Sequence, residues 1–564
     1  MSNHLSSFKK GFTQDNGVVM ILYNPFRYNK NTLPLSNNPK INRTMKKLFL
    51  SLCILAGAGQ LHAQEPLKTW GDQGNGTYVN PILNADYSDP DVIRVGDCYY
   101  MVASDFHFLG MQILKSEDMV NWKLIAQVYD RFDFPGWETN EHYAGGSWAP
   151  AIRHHDDKFW VFFCTPDEGL FMTNAKNPEG PWAPLTHVAN VPKWEDPCPF
   201  WDEDGNAYLG RSIWGAGPII IHRMSPDGTK LLDEGRTVYT GPVAEGTKIH
   251  KKDGYYYLSI PEGGVWGGWQ TVLRSKNIYG PYEKKVVLEQ GMTRINGPHQ
   301  GSLVDTPDGE WWFYHFQQYN PLGRVVHLQP MHWKDGWPVI GVDMDMNGIG
   351  EPVEAWRKPN VKKDTKIILP DASDNFSDEK LGLQWQFNHN PVNEAWSLTE
   401  RKGKLTFHAL KAENFVKARN TLAQKTMGYT GTATVKMTWT NKDMVDGQHS
   451  GLVCMGNLNW TIGIMQENGT RYVYLAKNNE LIQKKPFKGN AIYLRMEADA
   501  TKNQYQLLYS ADAKTFNMLS EKFPMQFGHW KGVHVGLYCY NVKDNAGVVS
   551  FDDFEYHHDG PKID

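Results

Sequence analysis

Asp89, Asp196 and Glu245 stand at matching places in a loosely repeated pattern. Asp89 lies seven residues before Gly96, Asp196 nine before Gly205 and Glu245 nine before Gly254, each ahead of a turn that opens onto aromatic residues. Trp148, nine before Asp157, and His299, ten before Gly309, take the corresponding places in two further copies. Three of five equivalent positions are therefore carboxylic acids. Carboxylates that face one another are costly to ionise together, so one is expected to keep its proton near neutral pH while another stays charged. An acid that protonates a leaving oxygen, beside a base that activates water, is the equipment for hydrolysing a glycosidic bond. The contexts Tyr87-Ser88-Asp89-Pro90-Asp91, Trp194-Glu195-Asp196-Pro197 and Val243-Ala244-Glu245-Gly246-Thr247 are apolar or rigid, where a bare surface acid is less expected. A turn-capping role is the bland alternative for any one of them, and the shared register argues against it for all three.

The repeat also says what must position these side chains. Its copies read Val95-Gly96-Asp97-Cys98-Tyr99-Tyr100, Asp156-Asp157-Lys158-Phe159-Trp160, Asp204-Gly205-Asn206-Ala207-Tyr208, Asp253-Gly254-Tyr255-Tyr256-Tyr257 and Asp308-Gly309-Glu310-Trp311-Trp312. The turns are 61, 48, 49 and 55 residues apart, and short β-branched or aromatic segments fill the intervals. A period near fifty with several strands per unit predicts β-propeller blades, so five copies predict an all-β, five-bladed propeller over 64–362. Residues just upstream of each turn would then line a central channel. The pattern stops after Trp333-Lys334-Asp335-Gly336-Trp337, and a charged, proline-punctuated stretch places a boundary near residue 370. Residues 373–564 return to alternating strands without the turn signature, which predicts a jelly-roll β-sandwich.

Composition agrees and narrows the options. The 564 residues include Trp 21, Tyr 26 and Phe 25, with charged residues at only 21%, which excludes a disordered chain, a coiled coil and a multi-span membrane protein. Residues 1–63 carry eight Lys or Arg against Asp15 alone, a balance of +7, so the overall −4 leaves −11 on the rest. A body that acidic offers no footprint for nucleic acid or anionic lipid. The basic start reads as a secretory signal over 45–63: Met45-Lys46-Lys47, an apolar run too short to span a bilayer, and the exit Leu61-His62-Ala63. Residues 1–44 read as an over-extended start, and export to the periplasm or beyond is expected. Of the six cysteines, Cys98, Cys164, Cys198, Cys454 and Cys539 follow the leader with neither disulfide nor zinc spacing.

Asn80-Pro81-Ile82-Leu83, Ser88-Asp89-Pro90-Asp91, Trp148-Ala149-Pro150, Glu195-Asp196-Pro197, Glu245-Gly246 and Gly297-Pro298-His299-Gln300-Gly301-Ser302, in this order, resemble glycoside hydrolase family 43 over most of 75–345. The C-terminal part is similar to a sandwich often attached in that family. The resemblance implies Asp89 as general base, Glu245 as general acid and Asp196 as the acid that orients Glu245 and raises its pKa. Asp91 is the rival to Asp89, and the Asp-Pro match favours Asp89. It also implies inversion by single displacement, with base and acid carboxyls ~6.5–9.5 Å apart. His299 resembles a channel histidine that holds water or a structural calcium ion, a satisfied buried histidine being the alternative. Arg324 resembles an arginine that reaches sugar hydroxyls or the catalytic acid. Trp148 and Phe106 would wall the sugar ring, or simply pack. No cofactor is required.

The family spans α-L-arabinofuranosidases, β-xylosidases and endo-arabinanases, so the sugar must come from finer wording. The stretch from Glu262 to Gln270, with Trp266 and Trp269 among glycines, is expected to narrow the mouth and favour exo-action. Glu245-Gly246-Thr247-Lys248-Ile249 and Leu322-Gly323-Arg324-Val325-Val326-His327 resemble the arabinofuranosidase branch. The first expectation is therefore release of non-reducing terminal α-L-arabinofuranose from arabinoxylan, arabinan or xyloglucan, with β-xylosidase next. A non-catalytic carbohydrate-binding protein is the alternative from another class. Trp385, Trp396, Trp460 and Trp530 of the sandwich are equally explicable as core.

Overall fold

The structure, a computed structural model, describes residues 69–361 and 366–561; the leader expected at 45–63 and residues 1–44 lie outside the described residues. Five four-stranded antiparallel sheets follow one another along the described chain, each built from four consecutive strands paired in sequence order. They run from Ser88–Val95 to Lys123–Gln127, Trp148–His155 to Thr186–Ala189, Trp194–Trp201 to Arg236–Tyr239, Lys248–Lys252 to Glu283–Leu288, and Leu303–Asp305 to Trp337–Ile340. Each of the five predicted turns joins the first two strands of one sheet. Asp156-Asp157 and Asp253-Gly254 have positive φ at both loop residues, the conformation that matches the twist of a two-residue hairpin.

Packing between sheets explains why the strands are so apolar. Lys158–Thr165 is buried along nearly its whole length because both faces of its sheet are covered. Tyr100 and Val102 of the first sheet meet Val161 and Phe163 of the second, and Trp160 and Phe162 meet Leu209 of the third. Ile221 of the third meets Leu258 of the fourth, and Val272 of the fourth meets Phe313 of the fifth. Trp312 and Tyr314 of the fifth then share a core with Tyr99 and Met101 of the first. The aromatic residues after each turn are thus largely used in packing.

A small sheet of Gly71–Asp72, Thr77–Val79 and Ala355–Arg357 ties the two ends of this region together. Beyond it, two eight-stranded sheets face each other over a core that includes Leu452, Ile462 and Val473 from one and Val435, Ile492 and Leu494 from the other. Thr430–Thr438 and Ala491–Asp499 alternate buried and half-exposed residues, the period of two expected of strands with one face on a core. Among the described residues no helix is long and apolar enough to cross a membrane. The five cysteines are all free, and four are buried.

Candidate active site

The same backbone distortion recurs at or just before the start of the first strand in each sheet. Asp89, Ala149, Asp196, Gly246 and Gln300 all have positive φ, at 54°, 40°, 57°, 62° and 43°. In the first three sheets the pairing register shifts there, between Ser88 and Asp91, Trp148 and Ala151, and Glu195 and Cys198. A β-bulge re-aims side chains and is common beside functional sites. It also corrects the equivalence read from sequence. The true counterparts of Asp89 and Asp196 are Ala149, Gly246 and Gln300; Trp148, Glu245 and His299 stand one residue upstream, level with Ser88 and Glu195. Counting back from turns of unequal length concealed this offset. Two of five equivalent positions are therefore acids, and the other two acids, Glu195 and Glu245, come from the neighbouring position.

These residues converge on a cavity of about 310 Å³. Asp89, Asp196, Glu245, Trp148, Phe106, His299 and Arg324 all line it. Asp89 Oδ1 accepts from an Arg324 guanidinium nitrogen at 2.7 Å, and Oδ2 accepts from the Ser104 and Ser88 hydroxyls at 2.6 and 3.1 Å. His299 Nε2 meets Glu245 Oε1 at 2.7 Å, while its buried Nδ1 has no partner among the described residues. Asp196 accepts from Ser212 Oγ at 2.5 Å, from Gln300 Nε2 at 2.7 Å and from the Gly246 N–H at 2.8 Å. It therefore grips the backbone next to Glu245 rather than the Glu245 side chain. Phe106 and Trp148 pack edge to face at 6.1 Å, and Trp148 meets Trp214 in the same manner at 6.0 Å.

Crowded acids shift one another's protonation. Burial, then the charge of Glu245, pushes Asp196 up to about 6. Burial, Asp196, Glu245 and Asp89 push Glu195 up to about 9, so this carboxyl is neutral at pH 7. One oxygen from each of Glu195, Asp196 and Glu245 lies within 4.8 Å of the others, a spacing that a metal ion could also use. Asp91, the rival to Asp89, is held away from this cavity. Its Oδ2 accepts from Arg153 at 2.6 Å and the Ile152 N–H at 2.8 Å, its Oδ1 accepts from Ser302 Oγ at 2.7 Å, and it does not line the cavity. Burial opposes its charge, but Arg153 and Lys248 outweigh that and hold its carboxyl below the usual range.

Two residues in the cavity carried too weak a sequence signal. Glu195 looked like context for Asp196, because nothing in the sequence reveals that the bulge turns both toward one space. Trp530 separates from the other sandwich tryptophans, for which core was one of the open readings: Trp385 is buried, but Trp530 is 43% exposed and lines the cavity from the sandwich side. Its neighbours Gly528, His529 and Gly532 mark a turn, and Gly528 and Lys531 close it with reciprocal backbone hydrogen bonds of 3.1 and 3.0 Å. Gly264 and Val265, from the stretch expected to narrow the mouth, also reach the cavity, and Trp266 beside them is exposed.

The profile of glycosyl hydrolases family 43 matches residues 78–338, and that of a beta xylosidase C-terminal concanavalin A-like domain matches 373–557. A Xylanibacter ruminicola protein named "Putative beta-xylosidase" is 55% identical over 469 residues, 83% of this chain and 87% of that one. A beta-xylosidase of Formosa agariphila is 38% identical over 554 residues, 88% of this chain and 92% of its own. The non-reducing end alpha-L-arabinofuranosidase BoGH43B of Bacteroides ovatus is 29% identical over 521 residues, 85% of this chain and 94% of its own. Among solved structures, a bifunctional GH43-CE protein of Bacteroides eggerthii superposes with a TM-score of 0.77 at 30% identity; the match covers 88% of this chain and 64% of that longer one. A chain that matches the family profile across the five sheets building this cavity, and is 55% identical over most of its length to a relative, belongs to glycosyl hydrolase family 43.

Proposed function

We propose that this protein is an exported, exo-acting, inverting β-xylosidase, with its five sheets serving as the blades of a propeller. The observation that carries the reading is the convergence of Asp89, Glu245 and Asp196 on one aromatic-walled cavity. At about 310 Å³ it sits at the lower end of small-molecule sites, roughly 300–1,000 Å³, which suits a single terminal pentose and hence exo-action. Glu245 gives its proton to the glycosidic oxygen as the bond from the anomeric carbon breaks. Asp89, oriented by Arg324 and two serine hydroxyls, takes a proton from the water that attacks that carbon from the opposite face. Asp196 fixes the chain at Gly246 and so the direction from which Glu245 approaches. Trp148, Phe106 and Trp530 supply apolar walls for the sugar ring. No step is routed through a metal or cofactor, and the partner is a xylose-bearing plant polysaccharide or its fragments.

The choice of xyloside over arabinofuranoside rests on the names of the relatives at 55% and 38% identity. The arabinofuranosidase reading first drawn from short motifs has its support in the relative at 29% identity. Matched aryl β-xyloside and aryl α-L-arabinofuranoside substrates, with NMR of the anomer first released, test both points. Faster xyloside cleavage with inverted configuration is expected. Faster arabinofuranoside cleavage would reverse the substrate, retention would overturn the mechanism, and inactivity on both would leave a carbohydrate-binding protein.

A further inference from the structure

A chain of four buried charges runs from the sandwich to Arg324 and Ser104, two of the three groups that hold Asp89. Lys531 Nζ donates to Asp86 Oδ2 at 2.7 Å and to the Ser104 carbonyl oxygen at 3.0 Å, and lies 3.8 Å from Asp105 Oδ1. Lys425 Nζ, also from the sandwich, meets Asp105 Oδ1 at 2.8 Å and Gln112 Oε1 at 2.6 Å. All four charged side chains are at most 5% exposed, and their signs alternate and cancel. Charges so deeply buried are tolerated only when paired and fully hydrogen-bonded.

Two members of this chain, Asp86 and Lys531, reach Asp89 through one further residue each. The Arg324 N–H donates to Asp86 Oδ1 at 2.9 Å, and the Arg324 guanidinium clamps Asp89. Ser104, whose carbonyl accepts from Lys531, donates its hydroxyl to Asp89 Oδ2. Lys531 also directly follows Trp530, the sandwich residue in the cavity wall, and its ammonium sits 5.6 Å from the ring of Phe106. The two backbones meet closely here: a Cβ on Gly532 would lie 1.8 Å from the Leu322 carbonyl oxygen, and one on Gly323 would lie 2.8 Å from the Gly532 Cα.

We propose that Lys531 is a positioning residue for the reaction, through which docking of the sandwich sets Arg324 and Ser104 around Asp89 and places Trp530 in the sugar site. The sandwich then acts on the chemical step, beyond covering the cavity. This rests on the assignment of Asp89 as base. The titratable and charged groups facing Lys531 are Asp86, Asp105, Lys425, His107, His529 and His534; those facing Asp89 are Arg324, Glu195, Asp196 and Glu245. Burial lowers all three histidines, so Lys531 and Lys425 are the cations that balance Asp86 and Asp105. Losing Lys531 leaves Asp86 uncompensated beside the Arg324 backbone and makes Asp89 harder to ionise.

The test uses the full chain carrying Lys531→Met, Lys531→Arg, Trp530→Ala or Asp89→Asn, assayed on an aryl β-xyloside well below each variant's melting temperature. Lys531→Met is expected to lower kcat at least tenfold and to move the acidic limb of kcat/KM to higher pH; Lys531→Arg restores most of both. Trp530→Ala raises KM and leaves the limb in place. A folded Lys531→Met with unchanged kcat and limb, but a lower melting temperature, overturns the inference. Should Lys531→Met not fold, Asp86→Asn breaks the same link from the other side, and an unchanged kcat there overturns it equally. An active Asp89→Asn brings down the proposed function and this inference with it, whereas an inactive Asp89→Asn beside a normal Lys531→Met removes this inference alone.

Discussion

Replacing Glu245 by Gln keeps the side chain's length and its contact with His299, 2.7 Å from Oε1, but leaves no carboxylic proton to give. General acid catalysis contributes about 10²–10⁴ in rate, which at ~1.36 kcal/mol per tenfold is roughly 2.7–5.5 kcal/mol of barrier. That loss appears only where the leaving oxygen needs a proton. Xylobiose has a poor leaving group and is expected to lose about 10²–10⁴ in kcat, whereas 2,4-dinitrophenyl β-xyloside departs without help and is expected to stay within about tenfold of wild type. Asp89→Asn should slow both alike, because water must be activated whatever leaves. The fold should tolerate Glu245→Gln, since the substitution changes neither the side chain's size nor its reach to His299. Paired initial-rate measurements on the two substrates decide the matter. Equal losses on both would refute Glu245 as the acid.

Glu195 stays protonated up to about 9 in the folded protein, far above its ordinary range, so the folded state holds a proton that the unfolded chain has lost. Stability therefore falls as pH rises through this window, by up to about 1.4 kcal/mol per unit. Glu195→Gln is expected to melt higher than wild type at pH 8 and equally at pH 4; no difference at pH 8 would refute the assignment. Trp530→Ala removes a half-exposed wall of the cavity, and an aromatic contact of about 1 kcal/mol predicts a roughly fivefold rise in KM at nearly unchanged melting temperature. An unchanged KM would place Trp530 outside the sugar site.

Much of the architecture is legible because its signals are local. A turn such as Asp253-Gly254 requires residues that accept positive φ, and the tyrosines after it fit a strand covered on both faces, so hairpins show in the sequence one at a time. The strict alternation of Thr430–Thr438 likewise announces a strand with one face on a core. Asp89, Asp196 and Glu245 were findable because each sits a nearly fixed number of residues from such a turn.

What was hidden depends on contacts distant in the chain. The bulges that bring Glu195 beside Asp196 and Glu245 add a residue locally, but which side chains then share a space follows from how five sheets meet, not from any one of them. Asp91 and Asp89 are two residues apart and chemically alike, and each pairs with an arginine; what separates them is that Asp89 and Arg324 line the cavity whereas Asp91 and Arg153 do not. Trp530 is the clearest case, since its sequence neighbourhood suits a core tryptophan or a surface turn equally well. By itself the sequence determined the strands, the turns and the acids proposed to do the chemistry, because turn conformation and apolar periodicity act over a few residues. Only the tertiary structure decided which of those acids face the same cavity, and that a lysine of the sandwich stands behind Asp89, because both depend on groups distant in the chain being buried together, 156 residues apart for Asp89 and Glu245 and 442 for Asp89 and Lys531.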